Sequence, residues 1–496
     1  MTPWRRIAAV LLYVVCAANV CVAQDVAAVE AKPVPKAAPS IGTKLAAAIG
    51  QFESSKTGGP AGVCVREIKT GKVLYAYRDA EKFIPASNQK LLGAIYWLET
   101  KTADGTFTTE VYRRGDELLV VGDFDPLLGD PYAAKRDKTS VYVDIDAWAA
   151  AAKKAGMTKV SRVLVMKRLD TLFPPSWPDR YKPHDYGAPV ASATFYYNCY
   201  GVTFSKTSHG LVPDVTPTTG RFIRVVNKVV AGKRHIFSIR GESDESVLTL
   251  RGTAQAAGGD VLLSPCKQPR IRLARVFAGR LEKAGLAVGE VGEVVEADLK
   301  KSEWTKLAAT HRPGAAVLKE SLHYSFNLAA ECIKLHAGGA SFPKSAEAMT
   351  AALTKAFTLD AGVIAVADGS GLSRENSVTP AAMTKVLAGA TTKCYWAALR
   401  TAMAKCGESG TMKKRMRDIP GRVVAKTGYV LGVSCLSGYV FDAAGKPAYA
   451  FSILTRNIRS GADSKKMQDR LCRMLTTYLD EIKPPAAMKP AQPVAQ

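Results

Sequence analysis

The chain has 496 residues, 47% of them apolar, enough to bury sizeable cores and to suggest about three domains. A formal net charge of +24 would draw polyanions, yet the cationic residues are scattered, with no dense basic run or aromatic-interleaved motif of a nucleic-acid binder. Ten cysteines are too few for a disulfide scaffold, and with no GxGxxG, P-loop, HExxH or zinc-spaced Cys/His set the chain is expected to use no cofactor and no metal.

At the start, Arg5 and Arg6 precede an apolar run from Ile7 to Val22 that ends in Cys-Val-Ala before Gln24, which predicts a cleaved secretory signal over residues 1–23. The run is shorter than a comfortable membrane span, and nothing later is long and apolar enough to be one. An exported chain is therefore expected, soluble in the periplasm or cell envelope. Val20 is bulkier than the residue normally found before a lipid-attachment cysteine such as Cys21 would be. Export turns the expected polyanion from nucleic acid to an anionic envelope polymer or membrane surface, although the charge can also be a plain solubility property. Removing the signal leaves eight cysteines. Cys394 and Cys406 are candidates for a local disulfide, with free buried thiols as the alternative.

Residues 24–40, rich in Ala, Pro, Val and Lys, read as a flexible leader. Strand-like runs at Ala61–Ile68 and Val73–Arg78, joined by Lys-Thr-Gly-Lys, predict a hairpin leading to a helix. That helix opens on Pro-Ala-Ser-Asn-Gln-Lys-Leu-Leu (85–92), where Ser87 and Lys90 stand three residues apart on one face. A lysine so placed can activate a serine hydroxyl without histidine if burial or neighbouring cations depress its pKa. Alone, the pair is equally a capping serine and a solvated lysine.

Residues 105–300 carry strand signals at Glu117–Val121, Arg162–Met166, Phe222–Val230 and Val247–Arg251 and a helical stretch at Asp144–Ala155. They are expected to form an inserted domain, with a smaller one nested near 205–252. Residues 41–104 and 301–483 then make the two parts of the surrounding catalytic domain. In the second part, Ser325-Phe326-Asn327 opens a helical pattern, on which His336 reads as a surface neighbour of Cys332. Lys426-Thr427-Gly428 follows on a strand from Arg422, with further strands at Gly432–Phe441 and Ala448–Thr455. Met467, Leu471, Met474, Tyr478 and Ile482 recur at helical spacing, predicting a terminal helix that covers the sheet. Residues 484–496 read as a disordered tail.

The order SxxK, SxN, KTG is the signature of serine penicillin-recognising enzymes. Within that group the chain resembles the class C low-molecular-mass penicillin-binding proteins, which are D-alanyl-D-alanine carboxypeptidases and endopeptidases. The resemblance extends to Asp368-Gly-Ser-Gly-Leu-Ser-Arg374, Gly432-Val-Ser-Cys-Leu-Ser-Gly-Tyr439, Gly122-Asp-Phe-Asp-Pro126 and Tyr186-Gly-Ala188, and so to most of the mature chain. The 235 residues from Lys90 to Ser325 far exceed the interval in class A β-lactamases. Tyr196-Tyr197-Asn198 matches the second motif of class C β-lactamases and related esterases, but Ser325 already fills that role and a structural part is assigned to it.

The resemblance implies a mixed α/β (α+β) penicillin-binding-protein/β-lactamase-like fold, with an antiparallel sheet flanked by helices and strand-rich insertions. It implies that Ser87 attacks peptidoglycan stem peptides with Lys90 as base, and that Ser325 relays the proton. Asn327 would hold Lys90 and the substrate amide. Lys426, Thr427 and Gly428 would receive the substrate, the charge of Lys426 helping to depress Lys90, and the backbone N–H groups of Ser87 and Tyr429 would form the oxyanion hole. β-Lactams would be covalent inhibitors. Phe326, where the family often has aspartate, and Tyr429, where it has a small hydroxyl residue, depart from the pattern. The alternatives are a serine β-lactamase and a catalytically inactive peptidoglycan-binding envelope protein.

Overall fold

The computed structural model describes residues 40–482 except 209, 218–219, 235, 242–244, 256–261 and 297–300. The expectations for the signal at 1–23, for the leader up to 39 and for the tail at 484–496 lie outside the described residues.

A six-stranded antiparallel sheet joins the two ends of the described chain, in the order Ala404–Lys405, Val423–Val430, Val433–Phe441, Pro447–Thr455, Ala61–Glu67, Val73–Tyr77. Ala61 pairs with Thr455 and Glu67 with Tyr449. Every residue of the central strand Val433–Phe441 is buried, because helices cover both faces of the sheet. On one face lie Ile41–Glu53 and the terminal helix Gly461–Ile482. The terminal helix buries the i, i+4 row Met467, Leu471, Leu475, Leu479; Met474 and Tyr478 only flank it, and Ile482 is exposed. The apolar stripe thus turns slightly from the expected one, since the i, i+4 row of a helix slants across its axis.

On the other face the helix Gln89–Lys101 is buried on all sides from Gln89 to Leu98, as its unbroken Leu-Leu-Gly-Ala-Ile-Tyr-Trp-Leu run requires. The helices Gly314–His323, Asn327–Gly338 and Phe342–Ala356 pack around it, and Pro380–Ala390 lies against the strands Ala61–Glu67 and Pro447–Thr455.

A second, mixed sheet runs in the order Ala287–Val295, Lys159–Lys167, Glu117–Gly122, Thr106–Arg114, Thr305–Pro313. The helices Val143–Lys154 and Pro269–Lys283 cover it, Trp148 meeting Phe277 edge-on. Two three-stranded sheets are built from residues between 199 and 265. Phe222 falls in a 3-10 turn, and the strand expected from it begins at Arg224.

The chain leaves the buried helix through Gly105 and returns through Gly314, whose N–H donates to the Gly105 carbonyl at 2.8 Å. Trp97 presses on both: a Cβ at Gly314 would stand 2.0 Å from its ring. Trp97 Nε1 also donates to His336 Nδ1 at 2.9 Å, and His336 Nε2 lies 3.2 Å from Asp123 in the second sheet's loop. His336 is therefore no surface neighbour. Its side chain is 5% exposed and links the buried helix to the second sheet, a role set by tertiary packing.

All eight described cysteines are free thiols. Cys406 is buried and donates to the Ile419 carbonyl, while Cys394 is exposed, so of the two alternatives for this pair the free thiols hold.

Candidate active site

Ser87 sits in a 3-10 turn, Ala86–Asn88, immediately before the buried helix. The turn is pinched between two glycines. A Cβ at Gly428 would come within 2.9 Å of the Pro85 oxygen and 3.1 Å of the Ser87 nitrogen, so only glycine lets the Val423–Val430 strand run this close to Ser87. From the other side Gly371, at φ +83°, stands where a Cβ would be 1.9 Å from the Ala86 oxygen. Asn88, fully buried, ties turn to strand: its Nδ2 donates to the Lys426 carbonyl at 2.5 Å and its Oδ1 accepts from Ser437 at 2.9 Å. Asn88 was not expected as a site residue, because an asparagine at a helix start reads as a cap.

Gly371→Ala combines a left-handed backbone with a collision against a fixed carbonyl, and is expected to cost at least about 1–3 kcal/mol. Thermal denaturation checks this.

Lys90 is 1% exposed, and its Nζ has three partners: Ser87 Oγ at 3.0 Å, Asn327 Oδ1 at 2.7 Å and the Ser370 carbonyl at 2.5 Å. A neutral amine has two N–H groups and one lone pair. Asn327 and Ser370 offer only acceptors to it, so they take the two hydrogens and the lone pair is left facing the Ser87 hydroxyl. Burial pushes Lys90 down to about 7, against the opposing pull of Asp368 and Glu331.

Lys426 is fully buried, and its Nζ donates to Ser325 Oγ and to the Thr427 carbonyl, both at 2.8 Å. Burial, and then the charge of Lys90, hold it well below the ordinary lysine value. Burial, rather than the charge of Lys426, is thus the main cause of the Lys90 depression. Ser325 stands just ahead of the helix Asn327–Gly338 in a left-handed conformation, φ +66°, that turns its hydroxyl toward Lys426.

The Asp368–Arg374 loop presents the Ser370 carbonyl. Asp368, fully buried, accepts from Gly371 N, Ser373 N and Asn376 Nδ2, each at 2.7 Å, and from Trp177 Nε1 at 2.8 Å. Glu331 accepts from the N–H groups of Gly369 and Ser370, at 3.0 and 2.7 Å. Burial, then Asp368, raises Glu331, and Lys334 lies 4.0 Å away.

A cavity of about 500 Å³ opens beside Ser325, Phe326 and Asn327, walled by Asp130, Tyr186, Tyr197 and Glu320 among others. Phe326 packs its ring 4.4 Å from Tyr197, whose hydroxyl donates to Asp130 at 2.5 Å. Asn198 is fully buried and binds the Phe195 N–H and the Pro189 carbonyl, so the Tyr196–Asn198 turn is structural apart from Tyr197's place in the wall. Tyr429 is 55% exposed with its ring against Gly461, and Thr427 is half-buried. Ser87, Lys90, Ser325, Asn327 and Lys426 thus meet through direct hydrogen bonds in two sets, one centred on each lysine.

A model of the D-Ala-D-Ala carboxypeptidase 3 (S13) family matches residues 43–478. A D-alanyl-D-alanine carboxypeptidase from Actinomadura sp. is 29% identical over 478 residues, covering 88% of this chain and 85% of its own. Among solved structures, penicillin binding protein 4 (dacB) from Haemophilus influenzae superposes with a TM-score of 0.71 at 20% identity, over 86% of this chain and 99% of its own. The same protein complexed with a β-lactam gives 0.67 at 21%, over 87% and 99%. Such likeness to solved structures concerns the fold.

Proposed function

The chain belongs to the D-Ala-D-Ala carboxypeptidase 3 (S13) family, and on that premise we propose that Ser87 is the acylated nucleophile of this serine DD-peptidase. The observation that carries this assignment is the 3.0 Å contact of Lys90 Nζ with Ser87 Oγ, made while its other two partners, Asn327 Oδ1 and the Ser370 carbonyl, are both acceptors, so that a neutral amine would keep its lone pair for the Ser87 hydroxyl. The Ser87 oxygen attacks the carbonyl between two D-alanines of a stem peptide while its proton passes to Lys90. The tetrahedral oxyanion is received by the backbone N–H groups of Ser87 and Tyr429. The C–N bond then breaks. Ser325, hydrogen-bonded to Lys426, hands a proton to the leaving amine of D-alanine. Lys426 and Thr427 bind the terminal carboxylate. Water hydrolyses the ester and restores Ser87.

The cavity beside Asn327 is the room for the donor peptide, and its carboxylates favour an arm that ends in an amine. Burial, then Asp130, raises Glu320 to about 7, and a cation bound there would draw it back to its ionised form. A bulky ring at 326 fits this reading because it is wall, packed on Tyr197. The exposed ring of Tyr429 leaves its backbone N–H to serve. Peptidoglycan as substrate agrees with the exported chain expected from residues 1–23, and no helix among the described residues is long and apolar enough to cross a membrane.

Purified protein incubated with a fluorescent penicillin and, separately, a D-Ala-D-Ala pentapeptide is expected to carry a stable label on the Ser87 peptide by mass spectrometry and to release D-alanine. Rapid penicillin turnover without peptide cleavage would identify a β-lactamase instead. A protein that takes no label and cleaves no peptide is a binder.

A further inference from the structure

Residues 168–189 form a loop that leaves the strand Lys159–Lys167 and lies outside every motif of the signature. Its ends are fixed away from the nucleophile. Arg168 donates to Asp123 at 2.9 Å, the Val190 N–H closes the loop onto the Leu172 carbonyl at 2.7 Å, and the Pro189 carbonyl accepts from Asn198. Between those ends it reaches the two groups that orient Lys90. The Tyr186 carbonyl accepts from Asn327 Nδ2 at 2.8 Å, and Trp177 Nε1 donates to Asp368 Oδ2 at 2.8 Å, with Trp177 4% exposed.

Each contact has a directional consequence. An asparagine amide can present either its oxygen or its NH2 to a neighbour. With Nδ2 taken by Tyr186, Oδ1 is the end that faces Lys90. Asp368 in turn anchors the N–H groups of Gly371 and Ser373, which follow the carbonyl of Ser370 in the same loop. We propose that this segment is a positioning strap for acylation, with Trp177 and the Tyr186 carbonyl holding the two acceptors that turn the amine of Lys90 onto Ser87. The proposal rests on the assignment of Ser87 and Lys90 above.

The strap has an electrostatic consequence. The charged groups facing Lys90 are Asp368 on its loop, Glu331 on the Asn327–Gly338 helix and Lys426 on its strand; Lys334 faces Glu331 and Asp368. The indole N–H offsets part of the negative potential of Asp368. Removing it leaves the ammonium form of Lys90 better stabilised, so the free base appears at higher pH. Removing the Asp368 charge does the opposite. The two variants are therefore expected to move one titration in opposite directions, which general loosening of the fold would not do.

The test is the rate constant of penicillin acylation against pH for the full chain, Trp177→Phe and Asp368→Asn, with thermal denaturation as the check on folding. Trp177→Phe should acylate roughly tenfold more slowly with unchanged penicillin affinity, and its acid-limb midpoint should rise by about half a pH unit. Asp368→Asn should lower the midpoint. Trp177→Phe with the parent's rate and midpoint, or a slower rate at an unmoved midpoint, overturns the strap. If Trp177→Phe does not fold, an unmoved or raised midpoint in Asp368→Asn overturns it. A parent protein that takes no label overturns the Ser87 assignment itself, whereas the other failures leave that assignment standing.

Discussion

Ser87→Ala is expected to abolish penicillin labelling and to lower D-alanine release roughly 10⁴-fold to 10⁶-fold, the range set by removing a nucleophile whose partners act as one unit. The loss is chemical. Ser87 is half-buried and its Oγ is only one of three partners of Lys90, so an alanine leaves the amine held by Asn327 and Ser370. The backbone N–H at 87 survives, as does the contact of the turn with Gly428, and the melting temperature should stay within the shift of a surface change of about 0.5 kcal/mol. Substrate can still bind to such a variant through Lys426 and Thr427, so it should retain peptide affinity while forming no ester. Equal labelling of parent and variant would move the nucleophile elsewhere. A variant that loses its melting transition would instead give Ser87 a structural role that its contacts do not suggest.

The parts of this site that were legible in the sequence are those whose chemistry fixes local spacing. Ser87 and Lys90 must share a helix turn, Ser325 and Asn327 must flank one residue, and Lys426 must precede a glycine that can lie against the nucleophile; each constraint writes itself into a short string. Five strands of the six-stranded sheet were readable for a similar reason, since apolar runs ending at turn residues mark strands wherever they fall in the chain, whereas the two-residue edge strand Ala404–Lys405 is too short to leave such a run. The Ser370 carbonyl was not, because a backbone group leaves no mark on residue type. Trp177 was hidden by distance: it meets Asp368 across 191 positions, and only the tertiary fold brings them together. His336 was misread, and the Cys394–Cys406 alternatives stayed open, for the same reason. Nearness in sequence says neither whether a side chain is buried nor whether two sulfurs face each other.

The dependence of kcat/KM on pH is expected to be bell-shaped, with its acid limb near 7, and Lys90→Ala is expected to lose roughly 10³-fold or more together with that limb. The two lysines are both buried and each is depressed, chiefly by burial and Lys426 also by the charge of Lys90, so they titrate as a coupled pair. Only one arrangement works: proton on Lys426, where it attracts the substrate carboxylate, and free base on Lys90. Below about 7 Lys90 gains its proton and can no longer accept from Ser87, so the rate falls with falling pH. As the pH rises Lys426 loses its proton, at a value well below that of an ordinary lysine, and the carboxylate anchor weakens. Lys426→Ala should therefore remove the alkaline limb for peptide substrates while the acid limb persists, which separates the two titrations by residue. Rates of peptide cleavage measured from about pH 5 to pH 10 on the parent and both variants decide the matter. A flat profile across neutrality, or an acid limb that survives Lys90→Ala, would show that another group takes the Ser87 proton; because Asn327 and Ser370 offer Lys90 only acceptors, the geometry leaves that proton to the amine.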